Sequence, residues 1–256
     1  MRTKLGILGL CAVALGMMAM SVSAAQGASL DWLVLNAAGT IATLVVEEEV
    51  AGKKVVNLLA SVVAEKDSAD LTLLTKIIKL MISVTCTTPE FINVNLEKEG
   101  TLSLGKVKFT GCLVYNGAGL GTLLPCTVST GTTVAGTIEA ENATSKLVLH
   151  EITGGGKEVL IQVVPDVGTT FATLLFKGSE CPLPEVNEVK GSLFLKDCLK
   201  LATTHEIKHL VEQGPLTSLT VGADTAEHLE TSLIGSVFAK LGGAHAGLKW
   251  AAMDTP

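Results

Sequence analysis

The stretch "KLVLHEITGGGKEVLIQVV", residues 146–164, decides the fold class. Leu147, Leu149 and Glu151 fall on one side of an extended chain, and Val148, His150 and Ile152 fall on the other. This is the period-two alternation of a strand. Gly154, Gly155 and Gly156 then turn the chain into "KEVLIQVV", whose β-branched residues again favour an extended backbone. The segment predicts a β-hairpin.

The same rhythm extends in both directions. Apolar stretches rich in Val, Thr and Leu, broken by turns such as "PDVGT", "VEQGP" and "KLGGAHAG", predict strands over most of the chain. Among them are Lys54–Val63, Thr101–Thr110, Leu124–Thr130, Val134–Ala140, Thr169–Phe176, Val189–Leu195 and Leu229–Lys240. "SADLTLLTKIIKLMISV", residues 68–84, fits a helical stripe through Leu71, Leu74, Ile78 and Met81, but its β-branched residues favour a strand pair. No internal repeat or low-complexity linker divides the chain. The expectation is an all-β protein, an antiparallel β-sandwich or barrel with little helix after the leader, forming a single domain over residues 26–256.

Residues 1–25 read as a secretory signal peptide: Arg2 and Lys4 precede the apolar run "LGILGLCAVALGMMAM", and "SVSAA" offers small residues for cleavage. The apolar run is short for a membrane span and no second one follows, so no stable membrane insertion is expected after cleavage. The expected destination is outside the cell or in its envelope. Without Arg2 and Lys4, the 19 basic residues fall to 17 against 25 acidic ones, a net charge near −8. Arg2 is also the only arginine. A mature chain with no guanidinium and a negative balance is a poor partner for phosphates, which argues against nucleic-acid binding. A protein or envelope partner is compatible with this composition.

The mature chain carries five cysteines, Cys86, Cys112, Cys126, Cys181 and Cys198. In an exported chain they imply disulfides, with at least one thiol left free or paired between molecules. "FTGCLVYNGAGLGTLLPCTV" reads as strand, glycine-rich turn, strand, which favours Cys112 with Cys126 across a hairpin. No spacing matches the C-x-x-C pairs of zinc or dithiol chemistry.

Three blocks, "VKFTGCLV…LPCTVST", "VPDVGTTFATLLFKGSECPLPEVNEVKGSL" and "VGADTAEHLETSLIGSVFAKLGGAHAGLKWAA", resemble a group of exported, β-rich proteins of actinobacteria with no assigned function. The resemblance implies a secreted β fold. It brings no catalytic residue with it.

One stretch matches a catalytic signature. His205-Glu206-Ile207-Lys208-His209 fits H-E-x-x-H, in which two histidines bind zinc and the glutamate activates a water. On a helix, positions i and i+4 lie about 6 Å apart and can share an ion. Thr203 would then cap the helix and Gly214-Pro215 would end it, with Glu227, His228 or Glu230 as the third ligand. In a strand the same histidines share a face but stand about 13 Å apart. "THEIKHLVE" alternates, with His205, Ile207, His209 and Val211 on one side and Thr204, Glu206, Lys208 and Glu212 on the other. A strand is therefore expected here, and the zinc metallopeptidase is the alternative.

Other motifs are weaker. "GAGLG" at 117–121 lacks the last glycine of a dinucleotide fingerprint and reads as a hairpin turn. Glu47, Glu48 and Glu49 alternate faces and suit a solvated sheet edge better than a calcium loop. Trp32 and Trp250 are read as core residues packing the two ends of the mature chain. The functional expectation is an exported, non-catalytic structural or binding module without a cofactor. A further alternative is a barrel-type carrier of an apolar ligand, prompted by a composition that is 48% hydrophobic.

Overall fold

The computed structural model describes residues 29–36, 38–40, 45–50, 53–58, 60–65, 70–77, 80–97, 99–118, 121–131, 133–152, 156–196, 198–209, 219–221 and 231–255. The leader lies outside the described residues. Eight strands form the centre: β1 (Ala60–Ala64), β2 (Asn95–Leu96), β3 (Thr101–Thr110), β4 (Ala143–Ile152), β5 (Gly156–Pro165), β6 (Leu193–Lys196), β7 (Thr204–His209) and β8 (Ser236–Leu241). Each pairs antiparallel with the next, and β8 pairs back to β1 through Lys240↔Val63. The result is a closed, in-order antiparallel barrel, which removes the open edges of a sheet.

The hairpin that decides the fold class is β4–β5, in continuous register from Ala143↔Pro165 to Ile152↔Gly156. Its alternation sets the barrel's polarity. Leu147 and Ile161 point to the core shared with Val62, Leu195 and Ala239, whereas Lys146, Glu158, Lys196, Lys208 and Lys240 hold the alternate positions. A small patch outside the ring, Val148, Leu160 and Phe194, is buried separately.

In an in-order antiparallel barrel, alternate connections emerge at the same end. At one end β1–β2, β3–β4, β5–β6 and β7–β8 are joined by long segments, residues 65–94, 111–142, 166–192 and 210–235. At the other end only a few residues separate β2 from β3 and β4 from β5. The long segments form two further sheets. One runs Thr122–Leu123, Leu113–Asn116, Leu80–Cys86, Leu71–Ile77, Ser232–Ile234; the other runs Thr127–Thr130, Thr170–Lys177, Val186–Lys190, Thr220–Val221. They share one core, including Ile82, Val84, Val114, Val128, Leu174 and Phe176, and so make a sandwich that caps the barrel. Phe109, Ala143, Val163 and Leu193 at the rim of the barrel pack against that core. The expected sandwich or barrel is thus both at once.

Residues 71–86 form the expected strand pair, Leu71↔Cys86 to Ile77↔Leu80. Two predicted strands are each broken at a glycine with positive φ: Gly191 (117°) separates Val186–Lys190 in the cap from β6, and Gly235 (111°) separates Ser232–Ile234 in the cap from β8. Such a φ suits glycine and lets the chain change sheets. Glu47, Glu48 and Glu49 lie in a strand Val45–Val50 paired with Lys53–Leu58.

The cysteine pairing differs from the expectation. The 113–123 hairpin does form, with Tyr115↔Leu123, but Pro125 interrupts the second arm and Thr127–Thr130 joins the other cap sheet. Cys112 instead lies beside Cys86, because Leu113 pairs with Thr85. The disulfides are Cys86–Cys112 and Cys126–Cys181, and Cys198 remains a buried thiol. They tie together three of the four long segments. Sequence separations of 26 and 55 correspond to about 3.5 and about 4 kcal/mol of restricted unfolded-chain entropy.

The barrel's other end is plugged. Ser29–Leu35 pairs with Lys249–Thr255, so the two termini of the described chain form one ribbon. Trp32 and Trp250 pack on each other with centroids 5.7 Å apart, and the Trp32 Nε1–H donates to the Thr101 carbonyl at 2.9 Å. Both tryptophans belong to the barrel core, as their reading as core residues requires.

Candidate ligand-binding site

The H-E-x-x-H segment is strand β7. His205, Ile207 and His209 point into the barrel, while Glu206 and Lys208 point outward and pair at 3.1 Å. The hydrogen bond from Lys208, then one from Ser236, holds the exposed Glu206 carboxyl below the usual carboxylate range. A zinc site of this class needs a helix to bring both histidines to one ion and the glutamate beside it. Here the histidines are about 13 Å apart along the strand and the glutamate is on the opposite face. Among the described residues no three His, Cys, Asp or Glu side chains are grouped to hold a metal. Glu227, His228 and Glu230, the candidate third ligands, lie outside the described residues, as do Gly214 and Pro215.

Each histidine has its own role. His205, 3% exposed, places Nε2 2.8 Å from the Trp250 carbonyl and its ring edge-on to the Trp250 indole at 4.2 Å. It belongs to the plug. His209, 8% exposed, sits at the capped end, where Nδ1 accepts the Leu233 N–H at 3.3 Å. Its Nε2 is buried without a partner. Burial holds the His209 imidazole below the ordinary histidine range, which keeps it neutral.

His209 lines a cavity of about 240 Å³ that runs through the barrel between the tryptophan plug and the cap. The barrel contributes Val62, Leu102, Ile161, Val163, Leu195 and Val237; the cap contributes Leu73, Val84, Phe171 and Leu174; the plug contributes Trp32 and Trp250. Gly105 of β3 also lines it, at a point where an added methyl would come within 2.7 Å of Val94 Cγ2 and 3.1 Å of the Ile92 carbonyl. The bare backbone there lets the chain from the cap pass close to β3.

Three buried side-chain polar atoms lack hydrogen-bond partners among the described residues: Ser145 Oγ, His209 Nε2 and Trp250 Nε1. All three side chains line this cavity. Buried polar groups are almost always paired, yet none of these three atoms presents appreciable surface to the cavity, whose wall is almost wholly apolar. Lys106 also lines it, but its Nζ is bound to Glu139 at 3.0 Å. Sequence reasoning passed over Ser145. The available signal was a hydroxyl on the same side of the hairpin as Leu147 and Leu149.

No protein-family model, curated protein or solved structure matches this chain. Function is therefore read from the cavity and the groups that face it.

Proposed function

We propose that this is an exported, non-catalytic binding protein that carries a small apolar molecule inside its barrel. The cavity is the observation that carries this reading. Native interiors seldom leave apolar spaces much larger than a water molecule, so a space of about 240 Å³ lined almost wholly by apolar side chains is unusual for a packed core. Eight-stranded barrels are also the size at which the interior can hold one small ligand.

Two disulfides and a leader-like N-terminus support export. The apolar interior and lysine-bearing exterior invert the polarity of a membrane-spanning barrel, which supports work in water. No described helix is long and apolar enough to cross a membrane.

The test is titration of purified protein with a neutral apolar fluorophore such as N-phenyl-1-naphthylamine, followed by energy transfer from Trp32 and Trp250. Saturable binding is expected, and Val163→Phe, which fills part of the cavity, should weaken it at least about tenfold while the protein stays folded. Uptake that is absent, or equal in the two proteins, would overturn the reading.

A further inference from the structure

We infer that the ligand enters and leaves the cavity sideways, through the seam between β3 and β4, and that the Lys106–Glu139 ion pair latches this opening. This rests on the cavity being a binding site.

Side chains of a strand alternate between its two faces, so a closed wall borders an interior space with every second residue. Most of the wall obeys this rule: Ile161 and Val163 line the cavity on β5, and Ile207 and His209 line it on β7. Among the described residues, consecutive ones line it at only three places, 105–107, 143–145 and 171–172. There the space reaches past the edge of a strand.

The three places meet. Gly105 pairs with Ala143, the Ala140 N–H donates to the Val107 carbonyl at 2.9 Å, and the Glu141 N–H donates to the Phe171 carbonyl at 2.6 Å. The chain therefore leaves β3 for the cap at Glu141 and returns to it at Ala143. Directly beyond, the ladder shifts register: residues 103 and 104 of β3 stand opposite Thr144 alone, between the pairs Gly105↔Ala143 and Leu102↔Ser145. Such a bulge leaves a residue outside the ladder and disrupts the pairing locally, and bulges gather at barrel rims and beside functional sites. The neighbouring β4–β5 ladder runs without a break from Ala143↔Pro165 to Ile152↔Gly156.

The outer face of the seam carries the latch. Glu139 alternates with Ile138 and Ala140, Lys106 with Gly105 and Val107, and Thr144 with Ala143 and Ser145, so all three turn away from the interior. Lys106 and Thr144 nevertheless border the cavity, as outward residues do only where the wall is open. Lys106 Nζ lies 3.0 Å from Glu139 Oε1, and each side chain is one-third exposed, so the pair spans from β3 to the strand Ile138–Glu139 at the surface. An exposed ion pair holds weakly and reopens readily in water. The alternative routes require unpacking the paired tryptophans of the plug or parting a cap tied by two disulfides. The seam is the least costly way in.

A path is distinguished from a contact by kinetics: changing the path alters association and dissociation in the same ratio and leaves the equilibrium where it was. The experiment is stopped-flow mixing of the purified protein with N-phenyl-1-naphthylamine, read by energy transfer from the tryptophans. Glu139→Gln and Lys106→Met should raise both rates together by about two- to fivefold, the range expected for losing an exposed pair, with Kd unchanged within about twofold. Thr144→Trp adds bulk on the outer side of the seam and should slow both rates by at least about fivefold, again at unchanged Kd. Glu206→Gln breaks the ion pair on the outer face of β7, across the barrel, and should leave both rates as they are. Should Thr144→Trp fold poorly, Glu139→Gln decides alone. Rates unchanged in the seam variants, rate changes matched by changes in Kd, or equal acceleration in Glu206→Gln would overturn the inference and leave the binding reading intact. A wild type that takes up no fluorophore would remove the binding reading and this inference with it.

Discussion

His205 and His209 stand on the same face of the same strand, both buried, yet they belong to opposite ends of the barrel and do opposite things. At the plugged end, His205 is bonded to the Trp250 carbonyl and packed edge-on against its ring. At the capped end, His209 makes one bond to Leu233 of the cap and leaves Nε2 turned to no protein group. The connections show the same contrast. Short connections and a terminal ribbon close one end, whereas four long segments, three of them stapled by two disulfides, build the other. Loop-borne elements on a rigid barrel are where function concentrates, because the scaffold fixes the geometry and the loops are free to vary. If the barrel carries a ligand as proposed, the plug end would serve stability and the cap end recognition.

The largest effect should come from breaking the plug. Trp250 is 1% exposed and touches Trp32, His205 and the cavity. Trp250→Ala is expected to cost about 3–5 kcal/mol by creating a cavity in the barrel core, read as a lower urea midpoint. The terminal ribbon should loosen first, visible as faster amide exchange in Lys249–Thr255 than in β4–β5. A variant of near wild-type stability would mean that the tryptophans do not close the barrel.

The two histidines should next separate by assay. His205→Ala removes a buried ring and its bond to the Trp250 carbonyl, at about 2–3 kcal/mol. His209→Ala should cost less, about 1 kcal/mol, because one of its ring nitrogens is already unpaired and losing it relieves a buried polar group. For affinity towards the apolar fluorophore the order should reverse, since His209 lines the cavity and His205 does not. Should His209→Ala prove the more destabilising, or His205→Ala the more damaging to binding, the division of labour along β7 would be wrong. Neither substitution should change zinc content, since the strand keeps the two rings from sharing an ion.

Much of this architecture was legible in the sequence wherever local pattern and final structure agree. The β4–β5 hairpin, the pair at Leu71–Cys86 and the strand over Thr204–His209 all follow from alternation and β-branched content. The expected Thr101–Thr110 strand is β3 itself. Less accessible was anything settled by long-range pairing. Thr88–Ile92 pairs with β3 despite Pro89, whose presence argues against a strand, and Lys249–Thr255 contains two weakly β-forming alanines held extended by Ser29–Leu35. The disulfides depended on which strand Cys112 lies beside, and no local spacing carries that information. The site itself was half visible. His209 drew attention for a metal chemistry that a strand cannot support, while Ser145, one residue before the predicted strand, drew none.

Acid should sharpen the contrast between the two faces of β7 by a smaller amount. Burial lowers the His209 pKa from its ordinary 6.5, so between that value and the folded one the unfolded chain binds the extra proton and the folded chain does not. The stability from keeping this ring neutral is therefore complete above about pH 6.5 and declines as pH falls towards the folded pKa, by at most about 1.4 kcal/mol per pH unit. No carboxylate among the described lining residues is placed to welcome the charge, and a protonated Nδ1 could no longer accept the Leu233 N–H that joins cap to barrel. Glu206, on the outer face, has its pKa lowered from 4.5, so its contribution is present above that value and is lost only in more acidic solution. Urea midpoints of the wild type and His209→Leu, compared from pH 7.5 to 5, should show a decline in the wild type that the variant lacks. Parallel curves would mean that His209 takes up its proton as readily in the folded barrel as in the unfolded chain, and the cap end would then hold no buried neutral donor at this position.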